Sequence, residues 1–91
     1  MAQVVTLRFS GSFRTCYGRL PKHIQEQVDK TLELLRQDAR HPSLRTKKMR
    51  GTRGVWEARV TYNYRITFSW EAELIILRRV GPHDILKKET Q

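Results

Sequence analysis

The sequence is poor in residues that cross-link a chain or bind a metal. Its 91 residues contain one cysteine, Cys16, so an internal disulfide and a zinc site built from several cysteines are both excluded. The three histidines, His23, His41 and His83, lie far apart and lack the short spacing of metal ligands. We therefore expect neither a metal nor any other cofactor, and the lack of cysteine pairs fits a reducing cytoplasm.

Long hydrophobic runs are missing as well. No apolar stretch approaches the ~20 residues that a membrane-spanning helix needs. The opening residues, MAQVVTLRFSGS, lack the basic region followed by an apolar region that is typical of a signal peptide. The sequence thus predicts a cytoplasmic protein without a membrane partner.

Acidic residues are scarce relative to basic ones. Nine Asp and Glu stand against eighteen Lys and Arg, which gives a formal net charge of +9. Such a charge says nothing about the fold, but it predicts affinity for a polyanion such as nucleic acid, the ribosome or an acidic protein. From Arg40 to Arg53 the chain holds six Lys or Arg residues and no acid. This run is either a solvated loop or, beside a sheet, a rim that follows a phosphate backbone.

The first half of the chain predicts one strand and two helices in a single domain spanning residues 1–91. Val4 to Phe9 has the composition of a strand. A short helix follows from Ser12, its expected N-cap, through Gly18, and an amphipathic helix runs from Pro21 to Gln37. The connector over residues 38–54 allows a brief strand at Lys47 to Arg50.

The stretch from Val55 to Gly81 predicts three consecutive antiparallel strands. Apolar residues alternate with polar ones, so each strand has an apolar face and a polar face. Glu57, Arg59 and Arg65 are expected together on the polar face. The apolar face that should meet the core comprises Trp56, Ala58, Val60, Tyr62, Tyr64, Ile66, Phe68 and Trp70.

The last predicted strand is less regular. Ile75, Ile76 and Leu77 are consecutive apolar residues, which indicates a strand covered on both faces. The pattern leaves open which of Arg78 and Arg79 faces the polar side. A turn or short helix is expected over residues 83–88. The predicted fold class is therefore α+β, with an N-terminal strand, a helical hairpin packed on one face of the sheet, and a three-stranded antiparallel meander.

This order of elements resembles the RelE/ParE superfamily of small toxins from bacterial toxin–antitoxin modules. LPKHIQEQVDKTLELL is similar to the second helix of the family's hairpin, and HPSLRTKKMRG with VWEARVTYNYRITF is similar to its basic loop and paired strands. LRRVGPHDIL resembles the last strand and the G-x-H ending of many nuclease members. The resemblance covers nearly the whole chain. It implies an antitoxin partner and either RNA cleavage or gyrase inhibition. The net charge of +9 predicts that this partner is a small acidic protein.

RNA can be cut without a metal when its own 2′-hydroxyl attacks the adjacent phosphorus. The protein then has to take a proton, stabilise the phosphoryl charge and give a proton to the leaving oxygen. The planar fork of Arg65 can hold two phosphate oxygens. The resemblance implies that the arginine at this place contacts the scissile phosphate. The alternative is a sheet-face arginine paired with Glu57. Arg59 is the second candidate cation, and Glu57 is either a general base or the carboxylate that orients an arginine.

His83 is the expected proton shuttle, since histidine exchanges protons near neutral pH. In related nucleases a histidine at this place follows an arginine by four residues, and Arg79 holds that spacing here. The basic residues expected to follow the backbone of mRNA or ribosomal RNA are Arg45, Lys47, Lys48, Arg50 and Arg53.

Together with these residues, the resemblance implies a toxin that cleaves mRNA as a metal-independent endoribonuclease, in association with the ribosome, and is silenced by its antitoxin. Two alternatives remain. One is a ParE-like inhibitor of DNA gyrase without cleavage chemistry, which the histidine of GPHD disfavours because such members generally lack it. The other is a non-toxic homologue that only binds an antitoxin.

Overall fold

The structure is a computed structural model that describes residues 3–90. Two helices follow the first strand, and most of the sheet follows them, which is the α+β order that the sequence predicts. In chain order the elements are β1 (Thr6–Phe9), α1 (Gly11–Gly18), α2 (Lys22–Gln37), β2 (Lys47–Lys48), β3 (Val55–Arg59), β4 (Tyr64–Glu71), β5 (Leu74–Pro82) and α3 (Leu86–Glu89), with 3-10 helices at Pro42–Leu44 and His83–Ile85.

The strands form one sheet of five in the order β1-β5-β4-β3-β2. The predicted antiparallel meander β3-β4-β5 is present, and the brief strand expected near Lys47 pairs antiparallel with β3. Strand β1 lies parallel to β5, with Thr6 opposite Leu74 and Phe9 opposite Leu77. The first strand of the chain therefore completes the sheet beside the last one.

Helix α1 begins two residues earlier than the sequence predicts. The N-cap is Ser10, whose hydroxyl oxygen accepts a hydrogen bond of 3.0 Å from the amide of Phe13. The expected cap at Ser12 is thus wrong. The Ser10 hydroxyl also donates to the carbonyl of Arg78 at 3.2 Å, so the cap joins the start of α1 to β5.

Helix α2 starts one residue after Pro21 and ends at Gln37, as predicted. Its apolar stripe of Ile24, Val28 and Leu35 is buried. The hydroxyl of Tyr17 donates to Asp29 at 2.7 Å, which links the two helices side by side. The predicted helical hairpin is confirmed, and its stripe is core.

The core lies between this hairpin and one face of the sheet. Two residues that the sequence predicts to be buried lie outside this core. One was expected on the apolar face of the sheet and the other in a strand covered on both faces. Tyr62 is 81% exposed because it lies in the connection between β3 and β4, where the alternation of the strands does not continue. Ile76 is 38% exposed, so the expected cover on both faces is wrong there. The core residues of the sheet are Ala58, Ile66, Phe68, Ile75, Leu77 and Val80.

A β-bulge in β5 decides where the two consecutive arginines point. Thr67 pairs with Arg79 and Phe68 pairs with Leu77, so Arg78 is an extra residue with no partner position on β4. The bulge interrupts the alternation. Both guanidinium groups consequently reach one carboxylate on the polar face, that of Glu89.

The C-terminal segment, residues 83–90, crosses the polar face of the sheet. The side chain of Glu89 is fully buried and accepts hydrogen bonds from Thr67 at 2.8 Å, Arg78 at 3.0 Å and Arg79 at 2.8 Å. Burial by itself raises the pKa of the Glu89 carboxyl, but the hydrogen bonds from those three side chains outweigh it and hold the pKa below its ordinary value. The prediction that helices pack on one face holds for the hairpin, whereas α3 lies on the other face.

Of the helices formed by residues 3–90, none combines the length and the apolar character that a bilayer crossing requires.

Candidate functional site

A cleft of about 280 Å³ opens on the polar face of the sheet. Strand register explains how residues distant in sequence meet there, because Arg59 lies opposite Arg65 and Lys47 lies opposite Glu57. Six of the residues that the sequence predicts for catalysis or RNA contact line this one cleft, namely Arg45, Lys47, Glu57, Arg59, Arg65 and His83.

Glu57 is the carboxylate of the cleft. The residue is 9% exposed, and its Oε1 atom lies 4.0 Å from Nε of Arg65. That separation is an ion pair without a hydrogen bond. The carboxylate thus sits against a guanidinium and still faces the cleft, where it can accept a proton or a hydrogen bond from a hydroxyl group.

Arg65 holds the connection between β3 and β4. Its Nη1 atom donates to the carbonyl oxygens of Thr61 at 2.7 Å, Tyr62 at 2.9 Å and Tyr64 at 3.1 Å. Its side chain is 11% exposed. Because Nη1 is committed to the backbone, a phosphate bound by this residue has to use the edge formed by Nε and Nη2.

Arg59 is held by fewer contacts than Arg65. Its Nε atom is buried and has no hydrogen-bond partner among residues 3–90. A buried donor without an acceptor is costly, so a turn of the side chain that brings this atom to an anionic oxygen in the cleft would be favourable. Arg59 is therefore the cation of the cleft that gains most from an incoming phosphate.

His83 is exposed and begins the 3-10 helix after β5. Its amide donates to the carbonyl of Asn63 at 2.9 Å, which joins the C-terminal segment to the β3–β4 connection. This bond fixes the backbone of His83 next to the loop that Arg65 holds. The imidazole consequently lines the same cleft as the two arginines.

Arg45 enters the cleft from the residue that follows the first 3-10 helix. Its φ of 48° lies in the left-handed region, which is uncommon for a residue other than glycine. The chain turns there, so that Lys47 and Lys48 can pair with β3.

The other predicted residues lie on the same face without lining this cleft. Arg79 donates to Glu89 and its side chain is 27% exposed. Lys48 and Arg50 line a neighbouring depression that shares Lys47 and Glu57 with the cleft. Arg53 lines a further depression together with Arg78 and Glu89.

Sequence reasoning missed two residues of this face. Its alternation with Tyr64 predicts core for Tyr62, although the sequence also predicts a short hairpin loop near Tyr62 and Asn63. Glu89 is an isolated acid in a basic tail, and nothing in its local pattern indicates three distant partners. Residues 3–90 contain no group of three or more His, Cys, Asp or Glu side chains arranged to hold a metal ion.

Comparison with known proteins relates this chain to toxin domains. Residues 22–84 match the model of the ParE-like toxin domain. No curated protein matches the chain significantly.

Solved structures share the fold over nearly the whole chain. YafQ from E. coli superposes with a TM-score of 0.75 at 15% sequence identity, covering 90% of this chain and 97% of that one. The RelB–RelE antitoxin–toxin complex from Methanococcus jannaschii gives 0.70 at 23% identity, covering 88% and 94%. The RelBE2 toxin–antitoxin complex from Mycobacterium tuberculosis gives 0.71 at 24% identity, covering 88% and 99%.

Proposed function

Because the chain belongs to the family of ParE-like toxin domains in the RelE/ParE superfamily, we propose that it is the toxin of a toxin–antitoxin system and acts as a metal-independent endoribonuclease on mRNA. The observation that carries the proposal is the cleft in which Glu57 and His83 stand beside Arg59 and Arg65. The cleft thus holds two groups that can take or give a proton, and it also holds two cations that can bind a phosphate.

In the proposed reaction, the 2′-hydroxyl of the substrate attacks the adjacent phosphorus. Glu57 takes the hydroxyl proton as the new P–O bond forms. His83, in its protonated form, gives a proton to the 5′-oxygen as the old P–O bond breaks. The products are a 2′,3′-cyclic phosphate and a free 5′-hydroxyl.

The arginines serve the charge that builds up on the phosphoryl oxygens. The unpartnered Nε of Arg59 donates to one non-bridging oxygen, and the Nε–Nη2 edge of Arg65 faces the phosphate from the opposite strand. Fixed donors aimed at developing charge are worth about 3 kcal/mol each in other enzymes. Positioned acids and bases add about 10²–10⁴-fold.

Glu57 has a second possible role, since its carboxylate also lies 4.0 Å from Arg65. A general base and an orienting carboxylate differ in how well a glutamine can replace them. If Glu57 is the base, Glu57→Gln should lower the cleavage rate by about 10²–10⁴-fold, because an amide cannot take the hydroxyl proton. If Glu57 only orients Arg65, the same change should cost much less, because the amide oxygen can still accept a hydrogen bond from the guanidinium group. Single-turnover cleavage rates at saturating RNA distinguish the two.

The proposed partners are an antitoxin and the translating ribosome in the cytoplasm. Related folds have been solved as antitoxin–toxin complexes. The net charge of +9 on this chain favours an acidic antitoxin and a polyanionic target. Binding of an acidic partner over the cleft would keep RNA away from it.

The test is expression of the protein alone, followed by mapping of mRNA ends in the cell and in a purified translation system. The proposal requires new ends bearing 2′,3′-cyclic phosphate. Arg59→Ala and His83→Ala should each remove at least about 99% of the cleavage. Lys30→Ala on the exposed side of α2 is the matched control and should cut like the wild type.

Inhibition of DNA gyrase is the second candidate, because the matching family model is the ParE-like one. A supercoiling assay with purified gyrase decides between the two. Inhibition of supercoiling by the wild type and by His83→Ala alike, with mRNA left intact, would replace the nuclease proposal. Normal growth during strong expression would instead indicate a homologue that only binds an antitoxin.

A further inference from the structure

Tyr62 is the most exposed of the large hydrophobic side chains described in residues 3–90. It is 81% exposed, whereas Tyr64, two residues later, packs against the core. Aromatic side chains are usually at least partly buried in folded proteins. A ring left in solvent beside a proposed active site therefore needs an explanation that the fold itself does not supply.

The loop that carries Tyr62 is held firmly from both sides. Arg65 donates to the carbonyl oxygens of Thr61 and Tyr62 itself, and the amide of His83 donates to the carbonyl of Asn63. Two residues of the cleft thus fix the loop backbone on either side of the ring. The exposure of Tyr62 is a fixed feature of the site's rim.

The ring also faces a cation of the site. The guanidinium carbon of Arg59 lies 5.9 Å from the centroid of the Tyr62 ring. Arg59 lines the cleft and has the unpartnered Nε that fits a phosphate oxygen. If Arg59 binds the phosphate of a nucleotide, the base of that nucleotide or of the next one would lie within reach of the Tyr62 ring. The reason is that a phosphate and its neighbouring bases are only a few bonds apart in RNA.

We propose that Tyr62 is a stacking platform for a nucleobase of single-stranded RNA, next to the phosphate that the cleft binds. This inference rests on the proposed function and adds a substrate contact to it. Splayed bases of single-stranded RNA commonly stack on aromatic side chains. Stacking tolerates any base because every base has a π-face, so Tyr62 would add affinity without imposing a strict sequence.

The contact predicts a measurable loss of binding when the ring is removed. Replacing a stacking aromatic residue by alanine typically lowers the affinity for single-stranded nucleic acid about tenfold or more. Tyr62→Ala should raise the dissociation constant about tenfold, whereas Tyr62→Phe and Tyr62→Trp keep a ring and should stay within about twofold of the wild type. The hydroxyl is not required.

The experiment uses an RNA that the protein binds without cutting. A 2′-deoxy nucleotide replaces the one whose hydroxyl attacks, and binding is measured by fluorescence anisotropy with the free oligonucleotide and with the same RNA on ribosomes. Two further RNAs each carry an abasic nucleotide, one on each side of the scissile phosphate. Val4→Ala, which trims an exposed apolar residue on β1's side of the sheet, is the control and should bind like the wild type.

The abasic RNAs separate stacking from an indirect effect on the loop. For one of the two abasic RNAs, the wild type should bind about tenfold more weakly than it binds the intact RNA. Tyr62→Ala should bind that abasic RNA about as weakly as it binds the intact one. Equal affinity of Tyr62→Ala and wild type for the intact RNA would overturn the inference. The inference would also be overturned if Tyr62→Ala bound both abasic RNAs about tenfold more weakly than the wild type does, because the effect of the ring would then not depend on either base.

The salt dependence supplies an independent check. Tyr62→Ala should weaken binding without changing the slope of log K against log salt, because the ring releases no counterion. A changed slope would mean that Tyr62 acts by placing Arg59, and it would overturn the stacking role. A wild type that neither binds nor cuts RNA, free or on ribosomes, would overturn the proposed function and this inference together, whereas cleavage with an indifferent Tyr62 overturns the inference alone.

Discussion

Two arginines on facing strands of one cleft differ in what their neighbours give them. Arg65 donates to three backbone carbonyls, while the Nε of Arg59 is buried without an acceptor among residues 3–90. The first arrangement stabilises the fold, whereas the second leaves a donor that the fold does not satisfy. Under the proposed function both arginines bind the phosphate, but only Arg65 also holds the backbone.

Replacement of Arg65 by methionine should lower the free energy of unfolding by about 1–3 kcal/mol, because the carbonyls of Thr61, Tyr62 and Tyr64 lose a charged donor. Urea titration followed by tryptophan fluorescence measures the change. Arg8→Met on the exposed side of β1 is the control and should remain within about 0.5 kcal/mol. Unchanged stability of Arg65→Met would contradict the role assigned to the Nη1 bonds.

Arg59→Met should lose cleavage without losing stability. Removal of a buried donor that lacks a partner leaves the free energy of unfolding unchanged or raises it by about 1 kcal/mol. The same variant should lose mRNA cleavage, because a phosphoryl oxygen loses its donor. The two readouts are measured on the same preparation, and a variant that unfolds more easily than the wild type would speak against the idea.

Residue patterns in the sequence predict most of the side chains that line this cleft. Alternation placed Glu57, Arg59 and Arg65 on one face, and the G-x-H resemblance added His83. Arg79 could not be placed, because the bulge that turns it towards Glu89 depends on pairing between strands and leaves no local mark. Tyr62 was misplaced because alternation cannot tell the last residue of a strand from the first residue of a turn.

At the scale of elements, the C-terminal segment covers what would otherwise be an open sheet face. Gly81 makes this approach possible, since a Cβ atom at this position would lie 2.8 Å from Cγ2 of Ile85. Ile85 is buried there, and Glu89 is buried further along the segment. The position of His83 depends on both anchors because it lies at the start of the same segment.

The close packing of Gly81 on Ile85 predicts a compensating pair of substitutions. Gly81→Ala alone should cost about 1–3 kcal/mol through the overlap with the isoleucine methyl group. Gly81→Ala combined with Ile85→Ala should cost less than the sum of the single changes, because the shorter side chain removes the clashing atom. A double-mutant cycle in urea gives the coupling, and simple additivity would refute the contact.

The anchor at Glu89 predicts a pH dependence of stability. Its pKa is lower in the folded protein than in the unfolded chain, where a glutamate titrates near about 4.3. The stabilisation is therefore complete above that unfolded value and is lost as the pH falls through the folded pKa. Glu89→Gln should lower the free energy of unfolding by about 1–3 kcal/mol at pH 7 and flatten its fall below about pH 5.

The matched control for that change is Glu26→Gln on the exposed side of α2. It should alter neither the stability at pH 7 nor the slope below pH 5. Unfolding midpoints in urea at several pH values supply the measurement for both variants. A Glu89→Gln protein that keeps the wild-type slope would show that the carboxylate contributes nothing through its charge.

Elements with strong local signals were predicted well. Patterns of residues close together in sequence predict the apolar stripe on α2 and the three strands of the meander. Such patterns do not predict the pairing of β1 with β5 or the passage of α3 over the polar face, because both depend on contacts between residues far apart in the chain. The family resemblance supported the order of the elements, but neither of these two contacts was predicted from it.

Across the whole molecule, the net positive charge is unevenly spread between the two sides of the sheet. Helix α2 carries three Lys or Arg and three Asp or Glu, whereas the cleft and its neighbouring depressions collect mainly cations. The polar face is therefore the side that a phosphate chain would approach, and the net charge of +9 strengthens the attraction at low salt.

This uneven spread predicts that RNA affinity responds to one side of the molecule only. Lys48→Ala should weaken binding to single-stranded RNA and reduce the slope of log K against log salt by about 0.7, the value for one phosphate contact. Lys30→Ala removes the same charge from α2 and should leave the slope unchanged. Equal effects of the two changes would indicate attraction by net charge alone.

The parallel pairing of β1 with β5 has a consequence for synthesis. Strand β1 finds its partner only when residues 74–77 have also emerged from the ribosome. It therefore stays unpaired while residues 10–73 are translated, and the segment with His83 and Glu89 emerges later still. If cleavage requires His83, as the proposed function holds, a nascent chain that has not yet exposed this segment would be unable to cut the message from which it is being made.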